Sequence, residues 1–423
     1  MEQRKKWDLL ALSSIPLIMT LGNSMLIPIL PLMEKKLTIS SLQSSLIITV
    51  YSVIAILLIP IAGFLSDRFG RKMVIIPGLV IAGIGGLISG WAAWKSSSPY
   101  IMILVGRFLQ GIGAAGAAPI VMPLVGDMFK KESEVSSSLG LIETSNTFGK
   151  VLSPILGAFL ATFFWYLPFF ATPVFCLVSL LLVLFLVKVP KRQEQPPSVT
   201  EFKNSIVHIF VTNGRWLYAI FAIGIICMYI LFGVQFYLSS LLERTYKIEG
   251  ITKGFILAIP LIALCLTSYL TGKYIGQNKV RMKWITFTGL MLVTGSVLWM
   301  GFLQGLYVLL IALSLCGIGI GAALPSLDAL ITEGFEKQER GTITSIYSSM
   351  RFIGVALGPP LFAILLTVSQ KAVFFTATGV GILAALLSLF AVRPSESKTA
   401  SPTSYSPTLP VRRKQKATQK PSR

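Results

Sequence analysis

The residues of this sequence best placed to do chemistry are ionisable side chains inside long apolar segments. Glu143 and Lys150 share one such segment; seven residues apart, they lie on nearly the same face of a helix, with Lys150 about 10 Å further along. A carboxylate in that position is a candidate carrier of a coupling proton, or a ligand for a cationic substrate. It could instead form a structural ion pair with Arg351, so three roles for Glu143 stay open.

Two more charged residues in apolar segments are candidates. Asp328 is a second, more interfacial candidate for proton transfer. Arg107 must find carbonyls, water or a carboxylate, because a buried guanidinium is costly. Lys150 and Arg351 also favour a different interpretation, since two cations lining one cavity would suit an anionic or catecholate-type substrate.

The sequence lacks the residues that several other kinds of chemistry require. There is no GxxxxGK[ST] phosphate-binding loop, no cluster with metal-ligand spacing and no candidate catalytic triad. The cysteines lie in apolar segments and are expected to be free thiols: Cys176, Cys227, Cys265 and Cys316. We therefore expect no enzyme, no cofactor and no metal, and an ATP-driven pump would need a partner chain.

The overall composition explains how such charges can be buried. Of the 423 residues, 54% are hydrophobic and only 13% are charged, and the mean hydropathy is +0.76. A soluble domain needs roughly 25% charged residues, whereas a bilayer requires about 20 apolar residues per crossing helix. The net charge of +20 does not indicate a nucleic-acid partner, because the basic residues lie mostly between apolar segments and in the C-terminal tail.

The sequence therefore predicts an all-α membrane protein with twelve transmembrane helices. Helices are expected because each crossing segment must satisfy its own backbone polar groups. The distribution of lysine and arginine between the loops places both termini in the cytoplasm. The twelve segments cover roughly 8–31, 45–66, 73–95, 100–125, 138–161, 166–187, 216–239, 251–274, 284–304, 307–330, 342–367 and 371–392.

The chain also repeats internally. Gly111-Ile112-Gly113 recurs as Gly317-Ile318-Gly319 at an offset of 206, and the same offset aligns Pro119 with Pro325. A duplicated unit of this kind places a substrate path between its halves. The predicted parts are an N-terminal six-helix bundle at 1–187, a cytoplasmic central loop at 188–215, a C-terminal six-helix bundle at 216–393 and a disordered basic tail at 394–423.

The loop after the second segment carries the most specific motif. It reads Gly63-Phe64-Leu65-Ser66-Asp67-Arg68-Phe69-Gly70-Arg71-Lys72 and closely resembles the signature loop of the major facilitator superfamily. The resemblance covers roughly residues 1–393 and implies the major facilitator fold of two six-helix halves. It also implies a charge network that latches one conformation. Its residues here would be Gly63, Asp67, Arg68, Gly70, Arg71, Lys72 and Asp127.

Two further segments resemble motifs of proton-driven exporters in this family. The run from Gly106 to Ala115 resembles the arginine-containing motif, which implies that Arg107 tunes a nearby protonatable group. The fifth segment resembles the antiporter motif GxxxGPxxGG at Gly149, Ser153, Pro154 and Gly157. It departs from that pattern at Ser153 and Ala158, and both replacements are small enough to keep helices close. The proton-coupling candidates are thus Glu143, Arg107 and Asp328.

Polar and bulky residues of the first and seventh segments are expected to line the path between the halves. Methionine and aromatic walls suit promiscuous apolar ligands. Together with the two cations, the expected cavity residues are Asn23, Met25, Lys150, Met228, Tyr229, Phe232, Gln235 and Arg351.

The resemblance implies a monomeric secondary transporter of the bacterial cytoplasmic membrane, surrounded by lipid. It would exchange protons for a small organic substrate, and export of drugs or xenobiotics is the main interpretation. Export of a siderophore or another anionic metabolite is the alternative. A second alternative is a non-transporting receptor or scaffold on the same fold, for which Glu143 and the latch would be dispensable.

Overall fold

The computed structural model describes residues 3–129, 132–188, 199–275, 278–302, 305–334 and 337–392. In this part of the chain, thirteen α-helices and one short 3-10 helix follow one another. They are α1 (Gln3–Ser24), α2 (Leu30–Leu37), α3 (Ser41–Phe69), α4 (Arg71–Lys95), α5 (Pro99–Met128), α6 (Glu132–Phe163), α7 (Leu167–Leu186), α8 (Val199–Arg244), α9 (Gly250–Tyr274), α10 (Lys279–Met300), α11 (Leu306–Gly334), α12 (Lys337–Val368) and α13 (Gln370–Phe390).

The first crossing is a broken helix. The 3-10 turn Ile27–Ile29 joins α1 to α2, so the three elements together cross the membrane once. Pro28 and Pro31 lie at this break, where each removes a backbone N–H that a continuous helix would need. Counted in this way the described residues contain twelve crossing helices, and the predicted fold class is confirmed.

Length and hydropathy alone identify ten candidate crossings in the described residues. The two helices left out are α6 and α10. Glu143 and Lys150 interrupt the apolar surface of α6, and Lys279, Arg281 and Lys283 fill the start of α10. One of the two crossings that this criterion misses, α6, carries the candidate residues Glu143 and Lys150.

The outside of the bundle is apolar. Leu57 is 62% exposed, Phe185 is 77% exposed and Tyr307 is 83% exposed, and many other large apolar side chains share this surface. A soluble monomer rarely exposes contiguous apolar patches of this extent. Lipid is the environment in which such a surface is stable.

The helix bounds repeat with the spacing seen in the sequence. Helices α6 and α12 are each 32 residues long, and they begin 205 residues apart (337 minus 132). The same relation pairs α3 with α9, α4 with α10, α5 with α11 and α7 with α13. The two halves meet chiefly where α3 packs on α12 and where α6 packs on α9. The repeat exchanges these two contacts, as expected of two related halves.

The helix that carries the seventh crossing is longer than the crossing itself, which spans Gly214–Arg244. Helix α8 starts at Val199, inside the predicted central loop 188–215, and continues without a break to Arg244. The segment 199–244 contains no proline, so nothing in it ends the helix before Pro196-Pro197 is reached. The rest of that loop, 189–198, and the predicted tail lie outside the described residues.

Candidate functional site

A central cavity lies between the halves. Its charged lining consists of Glu143 and Lys150 from α6 and Arg351 from α12. The remaining wall is largely apolar and flexible, with residues from both halves. It includes Met19, Met122, Met228, Phe232 and Phe352.

Glu143 hydrogen-bonds within α6. The amide nitrogen of Asn146, one turn further on, lies 3.2 and 3.4 Å from the two carboxylate oxygens of Glu143. The amide oxygen of Asn146 accepts from the hydroxyl of Thr20 in α1 at 2.5 Å. All three side chains line the cavity, and sequence reasoning missed Thr20 and Asn146 because neutral side chains in apolar segments carry little signal.

Arg351 pairs with Asp328 of α11 rather than with Glu143. Its guanidinium nitrogen lies 3.3 Å from the Asp328 carboxylate, and the guanidinium lies 5.7 Å from the centre of the Tyr347 ring. The alternative in which Glu143 pairs with Arg351 is therefore replaced by a pair within the second half. Helix phase explains this, because α11 presents Asp328 directly to α12 while α6 lies across the cavity.

Lys150 is a buried cation at the cavity wall, with only 8% of its surface exposed. Among the described residues no carboxylate lies within salt-bridge distance of its ammonium, although Glu143, Asp328 and Arg351 all act on it electrostatically. A buried cation without a paired anion is costly. An anionic ligand bound here would offset that cost.

Arg107 is fully buried in α5, behind the cavity wall. Its guanidinium donates to the main-chain oxygens of Ile47 at 2.8 Å and Gly22 at 3.3 Å, and to the side chain of Gln110 at 2.6 Å. It also hydrogen-bonds to the side-chain oxygen of Asn23 and lies 4.5 Å from the centre of the Tyr51 ring. These partners are neutral, so Arg107 joins α1, α3 and α5 and adds a fixed positive charge beside the cavity.

The predicted cavity residues divide into two groups. Asn23, Lys150, Met228, Phe232 and Arg351 line the main cavity. A smaller pocket of about 330 Å³ adjoins it and shares Lys150 and Phe232. Gln235 lies there, with its amide nitrogen 3.3 Å from the main-chain oxygen of Leu257.

Met25 and Tyr229 do not line either of these cavities. The backbone of Met25 packs against Gly157, so that residue lies between α6 and the end of α1. Tyr229 lies on the side of α8 that faces α12, where its ring contacts Phe362 at 5.5 Å between centroids. Position along a segment alone predicted both residues to line the cavity. In the structure both point instead towards neighbouring helices.

The antiporter-motif residues make the close contacts of α6. Gly149 lies against Leu17 and Thr20 of α1, and Gly157 lies against the backbone of Met25. Ser153 donates to the main-chain oxygen of Gly149 at 2.6 Å. Pro154 meets Gly254 of α9 in the other half, where an added Cβ would lie 2.6 Å from the proline oxygen.

Three of the predicted latch residues form one charge cluster in the first half. Arg71 lies 2.6 Å from the carboxylate of Asp67 and 3.1 Å from that of Asp127. Gly70 has a φ of +106°, a conformation that side chains strongly disfavour, which allows the tight turn between α3 and α4.

The remaining latch residues lie around this cluster. Lys72 donates to the main-chain oxygens of Leu184 and Val187 at the end of α7, where a cation is favourable. Arg68 lies over the Phe69 ring, at 5.8 Å from its centre. Gly63 contacts Ser345 of α12 and so lies at the boundary between the halves.

A second charge network, which sequence reasoning missed, joins the halves at the end of the bundle where α2 lies, here called the α2 end. Lys35 of α2 lies 2.8 Å from Glu243 of α8, and Lys253 of α9 lies 2.9 Å from the same carboxylate. Arg244 of α8 pairs with Glu34 of α2. The available signal was Lys253, a charged residue near the start of the apolar segment 251–274.

Two related six-helix halves, charged groups within the crossing helices and a cavity between the halves together define a membrane transporter. The halves are tied together by ion pairs at the α2 end. This arrangement is suited to alternating access, in which a central site faces one side of the membrane at a time.

Comparisons with known proteins identify the family. The chain belongs to the Major Facilitator Superfamily, which it matches over residues 12–359 and again over 283–420. It is 56% identical to the bacillibactin exporter of Bacillus subtilis over 92% of this chain and 98% of that protein. It is 26% identical to multidrug resistance protein 2 of the same organism over 86% and 89% of the two chains.

A solved structure shows the same fold. The crystal structure of a D-xylose–proton symporter superposes with a TM-score of 0.75, covering 92% of this chain and 98% of that one at 15% sequence identity. The family match and the 56% identical relative make the chain a transporter of this superfamily, and the resemblance inferred from its motifs is confirmed.

Proposed function

We propose that this protein exports a small organic anion of the siderophore kind from the bacterial cytoplasm in exchange for protons. The observation that carries the proposal is Lys150, a buried ammonium at the cavity wall with no salt bridge to a described carboxylate. An anionic substrate would supply the missing negative charge. The similarity to a bacillibactin exporter supports the same substrate class.

Glu143 is the proposed carrier of the coupling proton. Its carboxylate lines the cavity within reach of substrate, and it shares this space with the cations Lys150 and Arg351. A proton bound there changes the charge of the cavity and with it the affinity for an anion. Asp328, already paired with Arg351, and Arg107, surrounded by neutral acceptors, support this role electrostatically.

In this proposal the α2 end faces the exterior and both termini lie in the cytoplasm, as the distribution of positive charge predicts. The halves rock about the cavity, the α2-end ion pairs open to release substrate, and the Arg71 cluster favours one of the two conformations. The protein acts as a monomer in contact with membrane lipid.

A second candidate is the export of drugs or other xenobiotics. The methionine and phenylalanine side chains of the cavity wall favour it, because flexible apolar walls accommodate varied ligands. Similarity to multidrug resistance protein 2 supports it as well.

The test uses inside-out membrane vesicles with an acidic interior, prepared with and without the protein. Uptake of bacillibactin, a fluoroquinolone and a cationic dye is followed in parallel. We expect gradient-dependent accumulation of bacillibactin, lost in Glu143→Gln. Glu134→Gln, nine residues earlier on α6 and outside the cavity lining, is the matched control and should accumulate substrate normally.

The other outcomes separate the proposals. Accumulation of the dye and the fluoroquinolone but not of bacillibactin would favour drug efflux. Accumulation that persists in Glu143→Gln would remove Glu143 from proton coupling. Vesicles that accumulate none of the three would contradict export.

A further inference from the structure

The side chains of Thr20, Asn146 and Glu143 form a continuous hydrogen-bonded chain from α1 to α6. Thr20 donates to the amide oxygen of Asn146 at 2.5 Å, and the amide nitrogen of Asn146 donates to Glu143 at 3.2 Å. The direction of the chain is fixed at one end, because an ionised carboxylate can only accept hydrogen bonds. The structure therefore holds the arrangement that suits an ionised Glu143.

We infer that Asn146 is a positioning residue for proton coupling, whose amide responds to the protonation state of Glu143 and transmits it to α1 through Thr20. The inference rests on the proposed role of Glu143 as proton carrier, and it adds the path by which the proton affects the helices. The steps involve one proton bound at Glu143 and the rotation of one amide group.

The argument begins with what protonation does to the hydrogen-bonding pattern. The Asn146 amide nitrogen lies within reach of both Glu143 oxygens, at 3.2 and 3.4 Å. On protonation one of these oxygens remains an acceptor, while the other becomes an O–H donor that opposes the N–H donors of the amide. Turning the amide over presents its oxygen to Glu143 and its nitrogen to Thr20. The Thr20 hydroxyl fits both arrangements, because a hydroxyl can donate or accept.

The change then reaches the backbone of α1. Once Thr20 accepts from Asn146, its own proton needs a new acceptor. A hydroxyl in a helix can donate to the carbonyl four residues earlier, which here belongs to Pro16. Thr144 and Thr147 of α6 already make this bond, at 2.7 and 2.9 Å. Bonds of this type bend helices, and α1 packs directly on α6 beside the cavity.

Other charged or ionisable groups interact electrostatically with Glu143. They are Lys150 on α6, Asp328 on α11, and Tyr347 and Arg351 on α12. Helix α9 brings Cys265 towards Lys150, while α1 presents the neutral side chains of Met19 and Thr20. These groups share the electrostatic surroundings of Glu143, whereas Asn146 is the residue that connects Glu143 to α1 by hydrogen bonds.

The experiment measures bacillibactin transport by the full-length protein in proteoliposomes as a function of pH. The variants are Asn146→Leu, Thr20→Val and the double variant, with Glu143→Gln as reference. Thr144→Val is the matched control, because it removes a hydroxyl from the exposed side of α6 that contacts only the main chain. Each variant's KM and turnover are determined separately, and its folding is checked by size-exclusion chromatography.

Asn146→Leu should raise the midpoint of the pH profile by about one unit, because the ionised carboxylate loses a charge-assisted hydrogen bond. Its turnover should fall about tenfold. Thr20→Val should lower turnover similarly with little change in midpoint, since the bond between Asn146 and Glu143 remains. The double variant should behave like Asn146→Leu alone, and Thr144→Val like the unmodified protein.

Four results would overturn the inference. If Asn146→Leu raises only KM and leaves the pH midpoint unchanged, Asn146 is a substrate contact. If the effects of Asn146→Leu and Thr20→Val are additive, the two residues act independently. If Glu143→Gln keeps the full pH dependence, Glu143 is not the proton carrier, and the role inferred for Asn146 fails with it. If Glu143→Gln loses that dependence while Asn146→Leu behaves like the unmodified protein, only the role of Asn146 is refuted.

Discussion

Lys253 of α9 donates a hydrogen bond of 2.6 Å to the main-chain oxygen of Pro28, and so joins the second half of the protein to the first. Lys253 and its ion-pair partner Glu243 are almost entirely buried, at 2% and 3% exposure. A buried pair of this kind is stable only while both partners and their hydrogen bonds remain. The α2 end therefore behaves as a lock that is either fully made or broken.

Replacing Lys253 by methionine should open this lock. The substitution removes the bond to Pro28 and leaves the buried Glu243 with Lys35 alone, which favours separation of the halves at the α2 end. In a background without native cysteines, a Ser239→Cys reporter should react several-fold faster with a membrane-impermeant maleimide. Lys36→Met, which alters an exposed neighbour of Lys35, is the control. If the Ser239→Cys reporter reacts with the maleimide at the same rate in Lys253→Met and in Lys36→Met, the lock is refuted.

A valine at Gly254 should prevent the close approach of α9 to α6. Its Cβ would lie 2.6 Å from the oxygen of Pro154 and 2.9 Å from Ala158. We expect a loss of stability of about 1–3 kcal/mol, typical of overpacking, and reduced transport. Gly295→Val on α10 meets no atom within 4 Å and should be tolerated. Thermal unfolding in detergent measures both, and an unchanged Gly254→Val would contradict the contact.

Replacing Arg107 by lysine should destabilise the protein and impair transport. The guanidinium satisfies acceptors on three helices at once, including Ile47, Gly22 and Gln110, and a single ammonium cannot reach them all. Each buried acceptor left unpaired costs about 1–3 kcal/mol, so Arg107→Lys should lower the unfolding temperature and abolish transport. Arg281→Lys, at an exposed site on α10, should leave both unchanged. Normal stability in Arg107→Lys would show that the full set of hydrogen bonds around Arg107 is not required for folding.

Glutamine at position 150 should weaken binding of anionic substrates selectively. Two unit charges 4 Å apart interact by about 4 kcal/mol at an effective dielectric constant of 20, and solvent and neighbouring charges will reduce this. We expect a loss of affinity on the order of 10–100-fold for bacillibactin, with little change for a cationic dye. Lys188→Gln, at an exposed position, controls for loss of a positive charge. Calorimetric titration of the purified proteins distinguishes these outcomes.

The sequence by itself determined the membrane class, the number of crossing helices and the internal repeat. These properties follow from apolar segment length and from motifs such as the Gly63–Lys72 loop, which act locally and need no knowledge of neighbours. It also identified Glu143, Lys150 and Arg351 as unusual, because any charge inside an apolar segment is costly whatever surrounds it. The roles proposed for these residues stay predictions.

The tertiary structure decided which charges are partners. Pairing depends on helix rotation and on contacts between segments distant in the chain, so the bond from Lys253 to Pro28 and the pair of Arg351 with Asp328 could not be read from spacing. For the same reason, only the structure shows that Met25 and Tyr229 make packing contacts and that Thr20 hydrogen-bonds to Asn146. A linear pattern gives the depth of a side chain in the membrane, whereas only the packed bundle gives the direction in which it points.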